Sequence, residues 1–349
     1  MKVATLASAL TAAFMEGSPT VLPVFQKIGV TQCVGEVVLL CDPSATAPSY
    51  IVETNSSLAS KVEVQSGTLV VSSSGTLSGD IYYRTTITLI KGQLTELLSG
   101  SAASVLSGDL SACLDPNTFK VASAASGSVS LGGLAQTSKV EAAATGSGTL
   151  VLGNITSATE LSLATSGSGS LGLTTPTAPA LEDTTISCTG SGSIYAVSGS
   201  KSNQAKLGGS GSVVFAGNGG VVGETLDVIT AGSGSFTGCA APVNDVTATI
   251  RGSGGISVAP QNKLTATILG SGTVTYLTFP SPPVQPQTQE IATCPAYPTR
   301  PVLTEIPTTP ATMQIPGNYQ CRSWNGGVAT GGAPSFFGIV FVGLFLYFN

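Results

Sequence analysis

The chain has 349 residues, of which 43 are glycine, none is histidine and 9% are charged, for a formal net charge of −5. Without histidine there is no imidazole base, no Ser-His-Asp or Cys-His catalysis and no imidazole-bound metal, and 13 scattered Lys and Arg residues cannot form the basic stripe that nucleic acid needs. An apolar content of 42% excludes a charged disordered chain, and the glycines lack the spacing of collagen.

Residues 1–26 are expected as a leader. Lys2 precedes the modestly apolar stretch Val3 to Met15, although no small-x-small cleavage site follows at the right distance. Residues 27–60 are expected as a cap, because the open end of a stacked fold has to be covered. This stretch holds Cys33 and Cys41, close enough to clip it, and the sequon Asn55-Ser56-Ser57. From residue 61 worn copies of a repeat begin, with Leu69, Val71, Gly75 and Leu77, then Leu106, Gly108 and Leu110.

The repeat is clear from Val121 to Tyr276. Gly-Ser-Gly recurs at Gly146, Gly167, Gly190, Gly209, Gly232, Gly252 and Gly270, after a degenerate copy at Ala125-Ser126-Gly127. Its flanks alternate with period two. Val140, Ala142, Ala144, Gly146, Gly148, Leu150 and Leu152 share one parity, and Leu264, Ala266, Ile268, Gly270, Gly272, Val274 and Tyr276 repeat it. Alternation places the apolar parity, glycines included, on one strand face and the intervening serines on the other. The outward parity is Ser, Thr, Lys and Glu, as at Lys139, Glu141, Glu160 and Ser162. Asn154, Asn203, Asn218, Asn244 and Asn262 fall between copies, where left-handed turns are expected. One unit cannot bury its own apolar face, so the units must stack. The expected fold is all-β: a single-stranded β-solenoid, or parallel β-helix, over residues 61–279, with rungs of about 20 residues and a length of roughly 50 Å. Asn154-Ile155-Thr156, just after a rung strand, is a second sequon.

Residues 280–324 are rich in proline and threonine and end the ladder near Phe279. They are expected as an extended stalk. Residues 325–349 follow the order of a GPI-attachment signal. Asn325-Gly326-Gly327 supplies the small attachment residues, with Asn325 favoured; Val328 to Ser335 is the spacer; Phe336 to Phe348 is an uncharged apolar tail. The alternative is a membrane helix, but 13 residues at 1.5 Å each cover roughly 20 Å of a roughly 30 Å core.

Cys294 and Cys321 bracket the stalk as a second candidate disulfide. Cys188 has inward parity and is expected as a small buried hydrophobe; Cys113 and Cys239 have no assigned partner. No C-x-x-C pair points to zinc. The acids of the repeat stand singly except Glu182-Asp183 in a loop, so no catalytic residue, metal or cofactor is expected. Serine of each triplet and the residue two further on form hydroxyl columns: Ser147/Thr149, Ser168/Ser170, Ser191/Ser193, Ser210/Ser212, Ser233/Ser235 and Ser271/Thr273.

The apolar-x-apolar-x-Gly-Ser-Gly-x-apolar-x-apolar unit resembles the auto-transporter adhesin head domain, called the GIN domain, over roughly residues 61–279. The resemblance implies a β-helical, surface-exposed domain and carries over no catalytic residue. The stalk and the GPI-like tail depart from bacterial members and look eukaryotic. The expectation is a non-enzymatic protein on the extracellular face of the plasma membrane, meeting cell-surface or wall glycans or proteins, held through its C-terminal tail and binding no nucleic acid. A structural coat protein, a carbohydrate-active β-helix enzyme and an ice-binding protein are the alternatives.

Overall fold

The computed structural model describes residues 18–56, 58–174, 178–277, 288–295 and 300–321. These contain strands, turns and bends and no helix. They form a β-solenoid with two walls. The first wall stacks Thr118–Ser123, Lys139–Ala144, Glu160–Thr165, Asp183–Cys188, Ser202–Leu207 and Gly223–Thr230 in parallel. The second stacks Val129–Leu131, Thr149–Leu152, Ser170–Leu173, Ser193–Val197 and Ser212–Ala216. Ser235–Ile250 and Gly255–Ile268 each run from the second wall of one turn into the first wall of the next.

From Thr118 to Thr230 the register repeats without slippage, which places like residues in columns; shifts enter later, in the pairing of Ser235–Ile250 with Gly255–Ile268. Val121, Ala142, Leu163, Ile186, Ala205 and Val228 align inside the first wall, and Val129, Leu150, Leu171, Ile194 and Val213 inside the second. All are buried in one continuous core. A one-residue slip would turn a whole column to solvent, and the hydrophobic alternation forbids it.

The start of the solenoid departs from chain order. Lys27–Thr31 stacks between Thr68–Ile81 and Glu96–Ser99, and Glu36–Cys41 between Tyr83–Leu89 and Ser104–Ser107. The expected cap over 27–60 therefore divides. Its first two strands are a turn of the solenoid, while Ser49–Thr54 and Ala59–Gln65 run antiparallel and close the end. That edge carries Lys61 and Glu63 and a two-residue outer strand, Thr20–Val21, features that discourage further pairing. The leader expectation also narrows. Residues 18–26 belong to the fold, with Leu22 and Phe25 buried in the core; residues 1–17 lie outside the described residues.

Three disulfides join Cys33 to Cys321, Cys41 to Cys113 and Cys239 to Cys294. All four cysteines expected to pair are bonded, but Cys33 does not pair with Cys41, nor Cys294 with Cys321. Each bond joins segments that the fold brings together although 288, 72 and 55 residues separate them, whereas sequence proximity selects neighbours along the chain. Cys188 is the free thiol and is buried.

Candidate functional site

The Gly-Ser-Gly triplets form one edge of the rod. A Cβ built on Gly169 would lie 2.0 Å from the carbonyl oxygen of Gly148, and one on Gly148 would lie 2.0 Å from that of Gly127. The same collision recurs up the stack. Glycine is needed because successive turns touch along the rod axis. The contact lets Gly169 N donate to Gly146 O at 3.1 Å, and Gly148 N to Ala125 O at 3.1 Å. Neither glycine has a positive φ. Among the intervening asparagines only Asn154 adopts the expected left-handed turn, at φ 40°. Asn203 and Asn218 are instead buried, and their amides bind the backbone of Gly199 and Ala178.

With the glycines facing down the stack, the serines face water. Ser147, Ser168, Ser191, Ser210, Ser233, Ser253 and Ser271 are all exposed, an uncharged column roughly 30 Å long. The neighbouring column holds Thr149, Ser170, Ser193, Ser212 and Ser235, then Gly255, which interrupts the hydroxyls before Thr273. Hydroxyls bond along the axis, Ser212 to Ser193 at 3.1 Å and Ser233 to Ser210 at 3.3 Å. At its foot the second column meets Glu36 and Arg84, which form a buried pair: Arg84 Nε and Nη2 donate to Glu36 Oε2 at 2.9 and 2.6 Å.

The second wall has another feature. Its outward column Val38, Leu106, Ser130, Val151, Gly172, Tyr195 and Val214 is largely apolar. The segment expected as a stalk lies on it. Arg300 stacks on the Tyr195 ring at 5.6 Å, Pro301 fills the space over Gly172, Leu303 lies at Gly153, and Thr304 N donates to Ser130 Oγ at 2.8 Å. Arg84 Nη2 then donates to Pro307 O and Thr309 O, each at 3.0 Å. Finally Met313–Cys321 pairs antiparallel with Thr68–Ile81, and Cys321 is bonded to Cys33. Residues 300–321 are thus a strap returning towards the start of the rod. Three turns of about 4.8 Å measure roughly 14 Å, and a fully extended chain gains about 3.3–3.6 Å per residue, so the four steps from Arg300 to Thr304 cover the three turns from Tyr195 to Ser130 when almost fully extended.

Sequence reasoning missed this strap and its Arg84 latch. One signal was present: Leu150-Val151-Leu152 and Val213-Val214-Phe215 are apolar on both parities, which marks strands covered on both faces.

The remaining candidates are scattered. Asn55 is exposed, but its Oδ1 accepts from Tyr82 N at 2.8 Å and its Nδ2 donates to Asp80 O at 3.2 Å. Asn154 is exposed, and Thr156 Oγ1 donates to its Oδ1 at 3.2 Å. Asn325 and the apolar tail lie outside the described residues. Glu182 pairs with Lys201 at 2.8 Å in a solvated loop. Burial pushes the Cys188 thiol up from its ordinary pKa. Among the described residues no three His, Cys, Asp or Glu side chains converge to hold a metal, and no helix is long and apolar enough to cross a membrane.

The sequence profile of the family described as "Putative auto-transporter adhesin, head GIN domain" matches residues 44–219 and 182–280. No curated protein matches the chain. Similar solved structures include a "putative lipid binding protein" from Parabacteroides distasonis, 18% identical, TM-score 0.45, covering 76% of this chain and 98% of that one. A "putative adhesin" from Parabacteroides merdae is 15% identical, with TM-score 0.43 and coverage of 78% and 95%.

Proposed function

We propose that this chain, which belongs to the auto-transporter adhesin head GIN-domain family, is a non-catalytic adhesin of the cell surface. On this reading the rod displays its hydroxyl edge to glycans or proteins of a neighbouring surface, and the C-terminal tail holds it in the plasma membrane through a GPI anchor at Asn325. The observation that carries the reading is the exposed, uncharged column of serine hydroxyls from Ser147 to Ser271, flanked from Thr149 to Ser235 by a second hydroxyl column. A flat row of small donors and acceptors at about 4.8 Å intervals matches a repetitive polar partner better than a single small substrate. Three disulfides support an oxidising, secreted or surface setting. The scatter of the carboxylates weighs against a carbohydrate-cleaving enzyme.

The test has two steps. Phosphatidylinositol-specific phospholipase C should release the chain from cells, and retention would refute the anchor. The released protein should then bind a glycan array or intact cells saturably, and the triple variant Ser168→Lys, Ser191→Lys, Ser210→Lys should lose that binding while staying folded. Non-saturable binding, or binding indifferent to the three lysines, would leave the structural coat protein as the better reading.

A further inference from the structure

We infer that the rod stands with its first turns against the membrane and its last turns outward, so that the end around Thr247, Thr249, Thr265 and Thr267 meets a partner first. The inference rests on the anchoring reading above and adds the polarity of the head.

The strap sets this polarity. The first wall runs from Ala59–Gln65 through twelve stacked strands to Gly255–Ile268. Eleven spacings of about 4.8 Å separate its two ends by roughly 50 Å. A stalk leaving the last turn directly would put the anchor at the far end. The strap instead meets Tyr195, Gly172, Ser130 and Arg84 in that order, descending the rod. It ends beside Gly75, which faces Cys321 across the antiparallel pair, and the bond to Cys33 fixes it there. Asn325 follows Cys321 by four residues, which reach at most about 14 Å when fully extended. That reach is a fraction of the rod, so an anchor at Asn325 cannot serve the far end.

The two ends differ in kind. The first turns carry Val21 and Val24, 68% and 65% exposed, beside the antiparallel cap. The last turns carry Thr247 and Thr249 stacked in register on Thr265 and Thr267, the one place on the first wall where two neighbouring turns both read Thr-x-Thr, with Arg251, Lys263 and Leu269 exposed beside them. The hydroxyl edge leads to this end through Ser253, Ser271 and Thr273. The polarity therefore delivers the far end of the hydroxyl edge to the exterior.

An energy-transfer measurement on cells expressing the full chain tests the inference. An azide-bearing residue replaces the exposed Lys61 in the cap or the exposed Lys263 in the last turn, a donor dye is attached, and an acceptor dye is placed in the outer leaflet. Transfer from position 61 should exceed that from position 263 several-fold. Equal transfer, or the reverse order, on protein that phospholipase C still releases would overturn the polarity and leave the anchor standing. Label that resists the phospholipase, or that never reaches the cell surface, would overturn the anchor and the polarity with it.

Discussion

At the scale of single residues, the glycines divide into two kinds that substitution should separate. Gly169 needs the absence of a side chain, since its Cβ would meet the Gly148 carbonyl at 2.0 Å. Gly67, in the hairpin between Ala59–Gln65 and Thr68–Ile81, has φ 77° and open space around its Cβ position. Gly169→Ala forces two turns apart and should cost about 1–3 kcal/mol, the usual range for overpacking. Gly67→Ala meets no atom and should cost about 1–2 kcal/mol for the left-handed backbone alone. Asparagine tolerates that backbone, so Gly67→Asn should recover most of the loss, whereas Gly169→Asn should be worse than Gly169→Ala. Denaturant midpoints of the four variants check this. Recovery by asparagine at position 169 would show that conformation, and not contact between turns, demands glycine in the column.

At the scale of elements, parallel strands are held in register by their cores and also by charge. Lys27, Glu96, Lys120 and Glu141 align on four stacked strands, with ion pairs of 2.9 Å between Lys27 and Glu96 and 2.8 Å between Lys120 and Glu141. Lys139 lies 3.4 Å from Glu141 and 3.1 Å from Glu160, and its bond to Glu160 holds its pKa above the usual lysine value. Glu141 is central to the network, and Glu141→Lys would put like charges side by side. We expect a loss on the order of 1 kcal/mol, since both lysine partners remain open to solvent and like charges opposite one another repel by similar amounts. The loss should shrink in high salt; a loss indifferent to salt would point to packing instead. The stacking, the inward columns and the exposed serines were legible in the sequence because period-two alternation and the glycine spacing are local signals. The disulfide pairing was not legible. Cys33 and Cys321 are 288 residues apart, and nothing near either one names the other. Nor was the place of Lys27–Thr31 legible, since a strand's own pattern does not say which later strands it will lie between.

At the scale of the whole molecule, the strap turns a projecting stalk into part of the head, and a single buried guanidinium holds its middle. Arg84 gives its fork to Glu36 and to the carbonyls of Pro307 and Thr309. The family match ends at residue 280, so this latch joins a residue of the matched region to one beyond it. Arg84→Lys keeps the charge opposite Glu36 but puts one nitrogen where the guanidinium uses two, so the double contact with Glu36 is lost and the bonds to the two carbonyls are weakened. The rod's own unfolding should therefore move by only about 1–2 kcal/mol, while the strap opens far more readily. Glu305 is exposed between Thr304, bound to Ser130, and Pro307, bound to Arg84, which makes it a built-in reporter. A glutamate-specific protease should cut after Glu305 several-fold faster in Arg84→Lys than in the native chain, because cleavage needs the segment lifted from the wall. The pieces should stay together until reductant is added, because Cys33–Cys321 ties the part after the cut to the rod. Equal cleavage of the two proteins would mean that the strap is not latched where Arg84 meets it, and fragments that part without reductant would mean that Cys33–Cys321 does not hold its end.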